Sequence, residues 1–167
     1  MSAVAAVQEV LPDIQVTALS DLQLLGSPLY VDGISEAARK AVETISVLCD
    51  QVRHLDCHTG LVFLAHFVSA PIHMYLLRSS PLFENPSNLL RIDEIVKTTL
   101  SEVINVDISG GTWRRTSLPR RHGGLGIRSI VELTLPCYIS SMCAASPLIA
   151  SICPEDDEGG HRRRNCR

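Results

Sequence analysis

The sequence predicts a mainly α-helical bundle, with one or two short N-terminal strands and a disordered C-terminal tail. Three observations point there. Apolar residues make up 46% of the 167 residues, enough for one domain with a real core. Only 4% are aromatic, so Leu, Ile, Val and Ala supply the packing, which disfavours strand-rich folds. Long stretches repeat apolar residues at the helical period, with charges on the opposite side.

The elements follow in order. Residues 1–30 form an N-terminal segment, 31–152 a helical domain and 153–167 a tail. Residues 1–12 are rich in Ala and Val and are expected to form a short helix ending before Pro12. Two short strands are expected at about 14–18 and 22–25, ended by Gly26 and Pro28 and lacking a sheet partner in this chain. Asp32 or Ser35 can then cap a helix whose first turn holds Glu36. Its stripe is Ala38, Ala41, Val42, Ile45, Leu48, Cys49, Val52 and Leu55, with Arg39, Lys40, Glu43, Asp50 and Arg53 opposite.

A second helix, from about Thr59 to Arg78, is apolar on nearly every side and therefore central, with Pro71 breaking it near Ser69. Pro81 and Glu84-Asn85-Pro86 mark a loop, and Asn85 followed by Pro86 starts the next helix. That helix stripes Leu89, Ile92, Ile95, Val96, Leu100, Val103 and Ile104 inward. Arg91, Asp93, Glu94, Lys97, Ser101 and Glu102 take its solvent face. Ser109-Gly110-Gly111 ends the pattern and opens a Gly- and Arg-rich stretch to Arg128. From Ser129 to Ile152 the sequence reads as helix interrupted at Pro136 and Pro147, and the charged residues from Pro154 to Arg167 read as disordered.

Net charge of −3 excludes a chain that is basic throughout. Residues 113–128, however, hold Arg114, Arg115, Arg120, Arg121 and Arg128 with no acid. Guanidinium forks match phosphate oxygens, glycines admit close backbone approach, and Trp113 can stack on a base or cover the core. The competing reading is a solvated loop whose arginines pair with Glu94, Glu102 and other acids of this chain. Gly123-Gly124-Leu125-Gly126 lacks the Gly-Lys-Ser/Thr ending of a P-loop and the strand before it, so it reads as a tight turn.

Other chemistries find little support. Cys153, His161 and Cys166 match only part of a zinc knuckle, and no paired Cys-x-x-Cys completes it, so no metal is expected. His66 and His73 read as core histidines bonded to backbone. No Gly-x-Ser-x-Gly elbow is present, and the adjacent acids Glu155 to Glu158 lie in the tail, so neither a catalytic residue nor a cofactor is expected. The six cysteines are expected to be free and mostly buried thiols of a chain inside the cell, because the first residues lack a signal-peptide pattern. No uninterrupted apolar stretch reaches the roughly 18 residues of a membrane span; Gly60 to Leu77 is broken by His66, Ser69, Pro71 and His73.

Several phrases in order resemble the region after the catalytic palm of non-LTR-type retrotransposon reverse transcriptases from metazoan elements. They are Leu24-Leu25-Gly26-Ser27-Pro28-Leu29, Tyr75-Leu76-Leu77-Arg78-Ser79-Ser80-Pro81, Trp113, Ser117-Leu118-Pro119, and Gly123-Gly124-Leu125-Gly126-Ile127-Arg128-Ser129. The resemblance covers roughly residues 20–150 and implies a primer-grip-like strand at Leu24, Leu25 and Gly26 followed by a helical thumb-like region. It implies contact with an RNA or DNA template-primer duplex, or with a palm-containing polypeptide in trans. The family's aromatic-x-Asp-Asp turn is missing, so no polymerase activity is expected of this chain. A helical protein-interaction module and a decayed remnant without function stay open beside it.

Overall fold

A tight hairpin opens the part of the chain that the structure, a computed structural model, describes: residue 18 and residues 21–152. Strand β1 (Gln23–Leu24) pairs antiparallel with β2 (Ser27–Pro28), Leu24 opposite Ser27. Leu25 and Gly26 form the two-residue turn, both with left-handed φ of 52° and 83°. This corrects the sequence expectation. Gly26 and Pro28 do not end a lone strand; Gly26 turns the chain so that Ser27–Pro28 becomes the partner. The other expected strand (14–18), the helix over 1–12 and the tail (153–167) lie outside the described residues.

The hairpin docks on the helices rather than standing free. Ser27 is buried, its hydroxyl 2.7 Å from that of Ser80, and the Tyr75 hydroxyl donates to the Leu24 carbonyl at 3.3 Å.

Helix α1 (Asp32–Val52) buries Ile34, Ala37, Ala38, Ala41, Val42, Ile45, Cys49 and Val52. Its first turn has no side-chain cap; the Ser35 hydroxyl donates instead to the Asp32 carbonyl. Helix α2 (Cys57–Phe63) starts earlier than its pattern indicated, because the Asp56 carboxylate accepts from the His58 and Thr59 amides at 3.1 Å. A π turn (Leu64–Val68) joins α2 to α3 (Ala70–Ser79), with the Ser69 amide donating to the Leu64 carbonyl and Pro71 in the first turn of α3. The break expected near Ser69 is therefore an inserted π turn. A 3-10 turn (Leu82–Glu84) leads into α4 (Pro86–Ile104), which buries Leu89, Ile92, Val96, Thr99 and Leu100.

Two pairings build the core. Helix α1 lies along α4, joining Ile45 and Cys49 to Val96 and Leu100 in one buried cluster. The last helix, α6 (Ile130–Ile152), lies on α3 and α4. Each fully buried Ile or Leu here contributes about 1.5–3 kcal/mol of transfer free energy.

Helix α6 runs through Pro136 and Pro147, contrary to the expected interruptions. Proline's φ is itself helical; it removes one amide donor and crowds the preceding turn, and neither effect obliges the chain to leave the helix. The membrane expectation needs a similar correction. Cys57–Ser79 and Ile130–Ile152 are each 23-residue helical runs long and apolar enough, by length and composition, to cross a membrane. His66, Ser69, Pro71 and His73 lie within the first run without ending its helical character.

Asp93 overturns its assignment to the solvent face. It is partly buried against the start of α6, where its carboxylate accepts from the Ile130 amide at 2.8 Å and from the Ser129 hydroxyl. The same Ser129 oxygen accepts from the Glu132 amide at 3.3 Å, so α6 is capped jointly by its own serine and by α4. Burial pushes the Asp93 carboxyl up, and the donors from Ser129 and Ile130 oppose that rise.

Candidate nucleic-acid interface

The arginine stretch is a folded knob, where the sequence suggested only irregular chain. Ser109 caps a short helix, α5 (Gly110–Thr116), its hydroxyl accepting from the Thr112 amide at 3.3 Å. The Ser-Gly-Gly step that seemed to break helical structure therefore starts one, because serine at the cap satisfies an otherwise unpaired amide. Arg114 and Arg115 occupy the last turn, where the helix dipole favours cations. After Pro119 a 3-10 turn carries Arg120, Arg121 and His122.

The chain then folds back on α5. The Leu125 and Ile127 amides both donate to the Thr116 carbonyl, at 3.1 and 3.2 Å, and the Gly126 amide donates to that of Leu118 at 3.0 Å. Only glycine fits at 124, since a Cβ there would lie 2.0 Å from the Leu118 carbonyl oxygen. Gly123 turns the chain with φ of 80°. The expected tight turn is thus present, and buried Ile127 and Ile130 tie its far end to the core.

All five arginines of the stretch are exposed. Among the described residues none forms an ion pair with a carboxylate. The competing reading offered Glu94, Glu102 and other acids of the chain as partners. Glu94 pairs with Lys97, and Glu102 with Arg53 across the α1–α4 seam. Glu36 and Glu43 hold Arg39, Asp50 holds Arg53, and Asp56 and Asp93 cap helices. Glu94 and Glu102 are therefore engaged elsewhere, while Asp107 and Glu132, the acids nearest in sequence, form no ion pair with the stretch among the described residues.

Two arginines contact histidines instead. Arg120 Nη2 lies 3.0 Å from His66 Nε2, and Arg121 Nε donates to His122 Nε2 at 3.1 Å. His66 is exposed on the π turn, which corrects its reading as a core residue. His73 is in the core, yet it lacks the expected backbone bond. Its Nε2 has no partner among the described residues, and burial lowers its pKa to about 4. Trp113 is partly buried against the core, the covering one of its two roles.

The primer-grip-like residues do not form a continuous strand. Leu24 ends β1, while Leu25 and Gly26 are the turn, since successive left-handed residues cannot extend a ladder. No hydrogen bond or ion pair joins them to the arginine knob among the described residues; their anchor is α3, through Tyr75.

The thiol expectation changes too. Of the four described cysteines only Cys49 is buried; Cys57 and Cys143 are exposed, and Cys137 lies between. Among the described residues no three His, Cys, Asp or Glu side chains converge as a metal site, and Cys153, His161 and Cys166 lie outside them. A shallow recess beside α4 is lined by Glu94, Lys97, Glu102 and Asp107, but its Glu94 and Glu102 are already paired.

Sequence reasoning missed Phe63, His66 and Phe67. His66, which the two rings flank in sequence, contacts Arg120, although nothing in a one-dimensional pattern links positions 54 residues apart. Comparison of the chain with protein-family models, curated proteins and solved structures finds no match.

Proposed function

We propose that this chain is a helical module that contacts nucleic acid through Arg114, Arg115, Arg120, Arg121 and Arg128. We further propose that it descends from the post-palm region of a retroelement reverse transcriptase. One observation carries the binding half of this reading: five exposed arginines on a folded knob, none of them ion-paired with a carboxylate among the described residues. Guanidinium groups freed from carboxylates are available to phosphate oxygens. The module brings no catalytic carboxylates and no cofactor of its own, and it works inside the cell beside any palm supplied in trans.

Fluorescence anisotropy with labelled RNA–DNA and DNA duplexes tests the reading. If all five arginines meet phosphates, log K falls against log salt with a slope of about −4.5. Replacing all five with alanine abolishes that slope; unchanged binding by this variant overturns the reading.

A specific observation favours a second reading, a protein-interaction module. Leu24, Leu25, Leu29, Tyr30 and Val31 are exposed together around the hairpin, and Leu135, Ile139, Met142, Leu148, Ile149 and Ile152 are exposed along α6. Ile34, at the start of α1, is buried in the core and takes no part in that face. Light scattering across a concentration series discriminates, and a monodisperse monomer at every concentration counts against this reading. A remnant without function predicts neither binding nor association.

A further inference from the structure

We infer that Phe63 and Phe67, together with His66 and Arg120, form a stacking platform for unpaired bases, so that the knob takes single-stranded nucleic acid in preference to duplex. This rests on the nucleic-acid reading above and sharpens it.

The chain has only three phenylalanines, and two of them stand side by side in solvent. Phe63 closes α2 and Phe67 lies one turn on, with ring centroids 5.4 Å apart and planes tilted by 42°. Their fractional exposures are 43% and 58%, while the adjacent Leu64 and Val68 are at 0% and 3%. The inward face of this segment is therefore already filled by Leu64 and Val68, and the rings are left outside it. Burying two phenylalanines would remove much apolar surface from water and stabilise the fold, so packing in the core does not explain their exposure.

His66 connects the rings to the arginines. It lies between Phe63 and Phe67 in sequence, and its Nε2 takes a hydrogen bond from Arg120 at 3.0 Å. One of the five guanidinium donors is thereby used, holding the group on the segment that carries the aromatic pair. The electrostatics of both segments agree. Neither residues 57–83 nor residues 108–131 contain a single Asp or Glu.

Adjacent aromatic faces and arginines are the two components that hold a strand with exposed bases: rings stack on the bases and guanidinium groups pair with the backbone. In a duplex the base faces are covered by their neighbours, so exposed rings contribute to a duplex only at its ends.

The test uses the full chain and fluorescein-labelled oligouridylate of about 12 nucleotides, within the range a single module covers, beside an RNA–DNA duplex of equal length. Phe63→Ala/Phe67→Ala is expected to weaken single-strand binding by about 5- to 150-fold per stacked base and to leave duplex binding within about 2-fold, because rings carry no phosphate contacts. Phe63→Tyr/Phe67→Tyr retains binding, whereas Phe63→Leu/Phe67→Leu, equally apolar but without a π face, behaves as the alanine pair. Circular dichroism checks that each variant is folded. Equal losses on both nucleic acids, or no loss on either, overturn the platform. Wild-type binding to duplex but not to single strand overturns it while leaving the proposed function standing. Binding to neither, including capture only by phosphatidylserine vesicles, overturns both.

Discussion

Acidification should destabilise this fold through one residue, His73. Its ring is 6% exposed on α3, its Nε2 has no partner among the described residues, and burial lowers its pKa to about 4 from 6.5. The folded state thus binds fewer protons at His73 than the unfolded chain does. Stability is accordingly held above pH 6.5, lost as pH falls from there toward 4, and flat below. A full shift from 6.5 to about 4 corresponds to roughly 3 kcal/mol. Between pH 7 and pH 5 the loss is about 2 kcal/mol, equivalent to a melting-temperature drop of roughly 4–8 °C for a domain of this size. Urea unfolding followed by circular dichroism at both pH values measures it. Carboxylates titrate as well, so the same pair of measurements on His73→Leu supplies the baseline. The wild-type loss should exceed the variant's by about 2 kcal/mol; parallel pH profiles for the two proteins would refute a neutral, buried imidazole.

Three further perturbations probe the elements that shape the candidate site. Asp93→Ala removes the acceptor for the Ile130 amide and the Ser129 hydroxyl and should cost about 1–2 kcal/mol in urea unfolding, with Asp93→Asn costing less because one acceptor survives. Gly124→Ala drives a Cβ into the Leu118 carbonyl. It should unfold the knob, seen as loss of the Trp113 near-ultraviolet signal with most helical ellipticity retained. Leu25→Asn replaces an 84%-exposed leucine held at φ of 52° and should raise stability by about 1 kcal/mol in the same urea assay, since asparagine tolerates the left-handed region and suits this turn.

The helical class and the seams of α1 and α4 were legible because their residues obey one local rule. Ile45, Cys49 and Val52 recur at helical spacing, as do Ile92, Val96 and Leu100, and all six are buried. What stayed hidden depends on contacts distant in sequence or on unusual dihedrals. Asp93 sits among polar residues of its own helix, and only docking of Ile130, 37 positions on, makes it a cap. The hairpin was obscured by Leu25, since a leucine at positive φ carries no turn signal. Of the candidate interface, the arginines were readable from composition, whereas Phe63 and Phe67 looked like core residues of an apolar helix. The π turn and the burial of Leu64 and Val68 decide which way those rings face.

Charge shows most plainly why a whole-chain sum misleads. The net value is −3, which argues against a polyanion ligand taken at face value. Electrostatics act over about 8–10 Å at physiological salt, so what a ligand meets is the local field rather than the total. Glu36, Glu43 and Asp50 of α1 and Glu94 and Glu102 of α4 are paired within those helices and across their seam, by Arg39, Lys40, Arg53 and Lys97. Asp56 and Asp93 are spent on helix caps. None of that negative charge falls within residues 108–131, where five arginines face solvent on a backbone folded back by glycines. An acidic chain thus presents a locally cationic stretch, bounded by Asp107 and Glu132, because most acids of α1 and α4 are held elsewhere. The physical case for a phosphate-bearing partner rests on that segregation.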